Sequence, residues 1–80
     1  MTIDTTLKAL LSETLKRSVG DEENVTRADE PTWNSLLHME LVFMIEDEFG
    51  IEFEADEIAE LGSRAQIAAR VGELVEASGA

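Results

Sequence analysis

The sequence has no cysteine and no tyrosine, one proline, one histidine, and only six basic residues among 80. Each scarcity excludes something. Without cysteine there is no disulfide framework, no thiolate zinc site and no cysteine nucleophile; a reducing compartment suits the chain, and a cytoplasmic location is expected. A lone histidine cannot supply the usual zinc ligands. No apolar run approaches the roughly 20 residues that span a bilayer. The opening MTIDTTLKALL carries Asp4 early and has no basic stretch, so it does not read as a signal peptide.

What is abundant is negative charge. The net charge is −12, and between Ala28 and Ser63 stand 11 carboxylates with no Lys or Arg. Such a surface repels phosphate backbones and anionic membranes and attracts basic protein patches. Neither nucleic acid nor membrane is therefore an expected partner; simple solubility is the plainer reading of the same charge. DNA mimicry has the carboxylates but no positive motif. Calcium binding has the acidity, yet DEENVTRADEPT lacks the Asp-x-Asx-x-Asx-Gly spacing of a calcium loop.

Eighty residues make one domain, read here as residues 1–80. At that size folding buries only about 60% of the chain's surface. The apolar spacing is helical throughout and predicts an all-α, small four-helix bundle with a short third helix. Ile3, Leu7, Leu10, Leu11 and Thr14 form one stripe with Leu15 at its edge. This gives a first helix over about 3–18, capped by Thr2 or Asp4 and stopped by Gly20. Residues 19–34 are a long loop, held by Val25 and Trp33. The second helix covers about 35–49 and stops at Gly50. IEFEA is too short and acidic to read as a strand. A short third helix spans about 55–61, closed by Gly62. A Ser63/Gln66 capping box opens the fourth, about 64–77, with Ile67, Val71, Leu74 and Val75 on one face. The tail EASGA reads as a frayed end.

The second helix is apolar on two sides. At about 100° per residue, His38, Leu41, Val42, Ile45 and Phe49 share a core stripe. Leu36, Met39 and Phe43 fall opposite, flanked by Glu40 and Asp47. That second group is either a docking patch rimmed by carboxylates or a face covered by another element. Ser35, at the helix entrance, likewise has two readings. It is a favoured N-cap residue; it is also a hydroxyl where an attached phosphoryl group would meet free N–H groups and the positive helix end. Ser35 does not read as a hydrolase nucleophile. Gly-x-Ser-x-Gly is absent, and the only histidine follows three residues later with its side chain on the core stripe.

The segment WNSLLHMELVFMIEDEFGIEF, Trp33 to Phe53, together with the helix order over nearly the whole chain, resembles the acyl carrier proteins. The match lies in the Ser-Leu pair, the Glu-Leu-Val segment and EDEFGIEF at their proper separations. It is similar to branches with Trp-Asp-Ser-Leu that serve specialised pathways. The resemblance implies that Ser35 carries 4′-phosphopantetheine, taken from coenzyme A by a phosphopantetheinyl transferase. The arm's thiol would then hold an acyl or aminoacyl thioester. It implies a monomer that is not itself an enzyme. Acyl-loading ligases or transferases and downstream synthases, with basic docking patches, would engage Asn34, Leu36, Met39, Glu40, Phe43 and Asp47. Phe53 and Ile58 would touch the arm or acyl chain. The pathway would be fatty-acid, polyketide or other specialised biosynthesis. One residue departs from the pattern: Asn34 stands where the family has Asp, keeping the shape and a carbonyl acceptor but not the charge. The expected consequence is modification that is slower, needs a dedicated transferase, or is lost; in the last case the chain is an unmodified carrier-like interaction module.

Overall fold

A computed structural model describes residues 3–77. Its elements run α1 (Ile3–Leu15), α2 (Ser35–Phe49), α3 (Ala55–Ile58) and α4 (Arg64–Ala77). The all-α, four-helix reading holds, with no strand among the described residues beyond an isolated bridge between Thr26 and Ser63. Thr2 and the last three residues of the tail lie outside the described residues.

Helix α1 packs along both α2 and α4. Leu7 and Leu11 of α1 meet Leu41, Val42 and Ile45 of α2 and Ile67 and Val71 of α4 in one buried cluster. Complete burial of such side chains contributes about 1.5–3 kcal/mol each. Val19, Val25, Trp33, Phe53 and Leu61 add the loops to this cluster. The core stripe read for α2 is buried at His38, Leu41, Val42 and Ile45 and half-buried at Phe49.

The helix ends differ from the sequence reading where tertiary contacts decide them. Helix α1 stops at Leu15, not near residue 18, and Lys16, not Gly20, takes the left-handed conformation at φ 57°. The Arg17 N–H then donates to the Ser12 carbonyl at 3.2 Å, the closing bond of a Schellman turn. The early stop turns Val19 into the core, where its N–H donates to Ser12 Oγ at 3.1 Å. Helix α3 is a single turn ending at Ile58, not 61. The Ile58 carbonyl faces His38 Nε2 at 2.7 Å and accepts the Leu61 N–H at 3.2 Å, and Leu61 turns into the core. Gly50 stops α2 as expected, at φ 65°. At α4, Ser63 Oγ accepts the Gln66 N–H at 3.2 Å. Gln66 Oε1, however, takes the Ser63 hydroxyl in place of its N–H, so the capping box is half made.

The long loop is tied down by a buried charge. Arg64, 4% exposed, donates to the carbonyls of Gly20 (2.8 Å) and Glu23 (3.0 Å) and pairs with Asp4 at 3.0 Å. Backbone bonds from Arg27 to Gly62 (2.8 Å) and from Arg64 to Val25 (2.9 Å) hold the loop's middle beside the start of α4. Arg17 ties the loop's flank through Glu23 and Glu30, each at 2.8 Å.

The Arg17 guanidinium, followed by the Gly20 N–H, holds the Glu23 carboxyl down to about 2, against an ordinary 4.5. A lowered folded-state value means that this contribution to stability is complete above about 4.5 and is lost as pH falls toward 2. Arg17→Gln is expected to return Glu23 toward its ordinary range and to shift acid unfolding to higher pH. Carbon-detected carboxyl titration and circular dichroism against pH read the two effects. A wild-type Glu23 that titrates near 4.5 would contradict them.

Candidate functional site

The entrance to α2 is built by Asn34. Its backbone is extended (φ −94°, ψ −175°), its side-chain oxygen accepts the Leu37 N–H at 3.0 Å, and its carbonyl accepts the His38 N–H at 2.9 Å. Asn34 is thus the N-cap and Ser35 the first helical residue, which corrects the reading of Ser35 as the cap. Both residue types cap well; the extended conformation of residue 34 puts its side-chain amide oxygen within reach of the Leu37 N–H. The Ser35 hydroxyl is left outside the capping bonds on an exposed residue. Its contact is a guanidinium: Arg27 Nη2 donates to Ser35 Oγ at 3.2 Å.

Behind the entrance lies a buried clamp. Trp33 Nε1 donates to His38 Nδ1 at 2.9 Å, with the ring centroids 5.9 Å apart. An indole N–H can only donate. Nδ1 is therefore the acceptor, and the imidazole proton sits on Nε2, which donates to the Ile58 carbonyl at 2.7 Å. Both ring nitrogens are engaged away from Ser35, so His38 is no base for that hydroxyl. The clamp joins the turn before α2, the first turn of α2 and the end of α3. Between these elements is an open hollow of about 350 Å³ lined by Arg27, Ser35, His38, Met39, Ile58 and the small side chains of Ala55 and Ala59.

The site residues read from the sequence separate into groups. Ile58 borders the hollow with Ser35. Phe53 does not: it is 5% exposed within the core, and its N–H donates to Glu46 at 2.9 Å. Its apolar ring is packed in the main cluster. On the far face of α2, Leu36 is 73% exposed, Phe43 60% and Met39 37%, so no element among the described residues covers the group. Glu40 and Asp47 are exposed beside it, and Asn34, also exposed, is occupied by its cap. Met39 belongs to both the patch and the hollow. Arg27 was not foreseen. Its signal was available: it is the only basic residue from Ser18 to Ser63. Among the described residues, no group of three or more His, Cys, Asp or Glu side chains is placed to hold a metal ion. None of the described helices is long and apolar enough to cross a membrane.

The sequence profile of the phosphopantetheine attachment site matches residues 5–71, which include the whole entrance and its clamp. The chain belongs to that family. The family is defined by covalent 4′-phosphopantetheine, and its domains are carriers that work through partner enzymes and are not catalysts themselves. The expectation raised by the resemblance to acyl carrier proteins is met at this level. No curated protein and no solved structure matches the chain.

The clamp makes a specific demand on Trp33. Trp33→Phe keeps a buried ring but removes the N–H, leaving His38 Nδ1 without its donor. An unsatisfied buried polar atom costs about 1–3 kcal/mol. Urea unfolding followed by circular dichroism should show that loss; an unchanged midpoint would mean that the hydrogen bond contributes nothing.

Proposed function

We propose that Ser35 is the attachment residue and that the chain is an acyl carrier protein presenting acyl or aminoacyl groups to partner enzymes of fatty-acid, polyketide or other specialised biosynthesis. It acts as a cytoplasmic monomer in this reading. The supporting observation is the division of labour at the α2 entrance: Asn34 does the capping, and the Ser35 hydroxyl is free of it, exposed, and next to a cation. The residues present fit a phosphodiester. Arg27 offers charge-assisted donors, and the first-turn N–H groups favour an anion. The group itself supplies a terminal thiol that carries the cargo as a thioester. Ser35 would anchor its root, and the apolar side chains of Met39 and Ile58 share the hollow that Ser35 borders.

The second reading, an unmodified interaction module, draws on Asn34. Its cap bond shows that the amide reproduces the backbone role open to aspartate, so only the charge is missing. We expect intact mass spectrometry after incubation with coenzyme A, magnesium and a broad-range transferase to show one phosphopantetheine added to wild type and none to Ser35→Ala. Asn34→Asp should be modified faster. No addition to wild type across several transferases would favour the module; equal addition to Ser35→Ala would move the attachment elsewhere.

Partner enzymes would grip the exposed face of α2. Leu36, Met39 and Phe43 offer an apolar centre, and Glu40 and Asp47 an anionic rim that steers basic patches. Ile45→Ala, in the core, should cost about 2–5 kcal/mol of stability. Met39→Ala should cost well under that while slowing loading by a partner enzyme. Glu40→Lys and Asp47→Lys should slow association most at low salt, because exposed charges are screened over about 10 Å at 0.1 M. Thermal midpoints and loading rates across a salt series measure both. Equal melting losses for Met39→Ala and Ile45→Ala would make the patch core; rates indifferent to salt and to both charge changes would leave the rim without a role.

A further inference from the structure

We infer that Arg27 is a built-in counter-ion for the phosphodiester, holding the root of the prosthetic arm against the protein. The inference rests on Ser35 as the attachment residue. The chain has four arginines and 18 carboxylates. Arg17 pairs with Glu23 and Glu30, Arg64 with Asp4, and Arg70 with Glu57 and Glu73. Arg27 alone of the four has no carboxylate within ion-pair distance among the described residues. Nor is it stranded by a lack of acids, since Asp29 lies two residues away; that carboxylate instead accepts the Thr26 hydroxyl at 2.9 Å.

The Arg27 guanidinium is directed at Ser35 Oγ, at 3.2 Å. Its backbone is not free to move away, because the Arg27 N–H donates to the Gly62 carbonyl at 2.8 Å across the Thr26–Ser63 bridge. A phosphorus bonded to Ser35 Oγ would bring its two non-bridging oxygens within reach of the same guanidinium, whose paired N–H groups match a phosphate edge. Asn34 completes the electrostatics. At the neighbouring position the Asn34 amide caps the helix without adding negative charge. Arg27 is a positioning residue here, acting on the anion and not on the thiol.

The test is a cycle of four purified proteins: apo and phosphopantetheinylated forms of wild type and of R27Q, with intact mass confirming occupancy. At low salt, modification should raise the wild-type thermal midpoint by about 2–5 °C, the size expected for one partly exposed ion pair in a domain this small. R27Q should gain less than half of that, and 0.5 M salt should remove most of the difference. Phosphorus-31 relaxation should show a more mobile phosphodiester in modified R27Q. The cycle subtracts any harm that R27Q does to the apo protein. Equal gains in midpoint with equal phosphorus relaxation would overturn the role of Arg27 while leaving Ser35 as the attachment residue. Failure of wild type to gain the mass of phosphopantetheine would overturn both.

Discussion

A single buried imidazole holds the site together. His38 uses one ring nitrogen to receive the Trp33 indole N–H and the other to reach the Ile58 carbonyl. Helix α3 is only one turn, and isolated turns of helix do not persist in water. Its place comes from contacts outside itself: His38 at its last carbonyl, and Arg70 of α4 paired with Glu57. The Glu57 side chain also caps the Glu54 N–H at 2.8 Å. The same imidazole fixes Trp33, and Trp33 fixes the chain one residue before the Asn34 cap. The two sides of the hollow beside Ser35 are thus set by one lining residue whose ring nitrogens are both engaged elsewhere.

The second dependence runs through Arg64. The connection from α1 to α2 is long for so small a protein, and ordering it costs backbone entropy at every residue. Val19, Val25 and Trp33 recover part of this by burial. The rest of the anchoring is polar. A guanidinium can be buried only with its hydrogens satisfied, and the carbonyls of Gly20 and Glu23 with Asp4 do this for Arg64. The Arg64 N–H also reaches the Val25 carbonyl, and, two residues on, the Arg27 N–H is held by the Gly62 carbonyl.

How much of this could be read in the sequence follows from how local each feature is. The stripes of α1, α2 and α4 were legible because side-chain direction on a helix depends only on spacing. The same geometry separated His38, Leu41, Val42 and Ile45 from Leu36, Met39 and Phe43. Helix ends were less legible. Lys16 takes a left-handed conformation usually left to glycine because Val19 must reach the core, and α3 is cut short because its last carbonyl is shared with a ring 20 residues away in the chain. Asn34 and Ser35 are both good caps, and neighbouring side chains cannot say which will serve. Arg64 was least legible of all. A charged residue reads as solvated unless its partners are known, and Arg64's lie more than 40 residues distant in sequence.

The distribution of the few cations explains why the carrier presents an acidic face. Lys8, Arg17, Arg64 and Arg70 all pair with carboxylates; the Lys8 pair ties α1 to the first loop, the Arg64 pair ties α4 to α1, and the Arg17 pairs close the loop on itself. Positive charge is thus concentrated in joints of the architecture. Glu40 and Asp47 on the outer side of α2 have no ion-pair partner among the described residues, so they and their acidic neighbours keep that side negative. Exposed like charges repel one another and weaken the fold, but over distances limited by salt. The core formed by α1, α2 and α4 bears that strain, because α2 contributes its apolar stripe on the opposite side of the same helix. Core stability and an anionic, partly apolar outer face are therefore compatible on α2: its fifteen residues turn through enough of the wheel to serve both, with the Ser35 entrance at the end where the two faces meet.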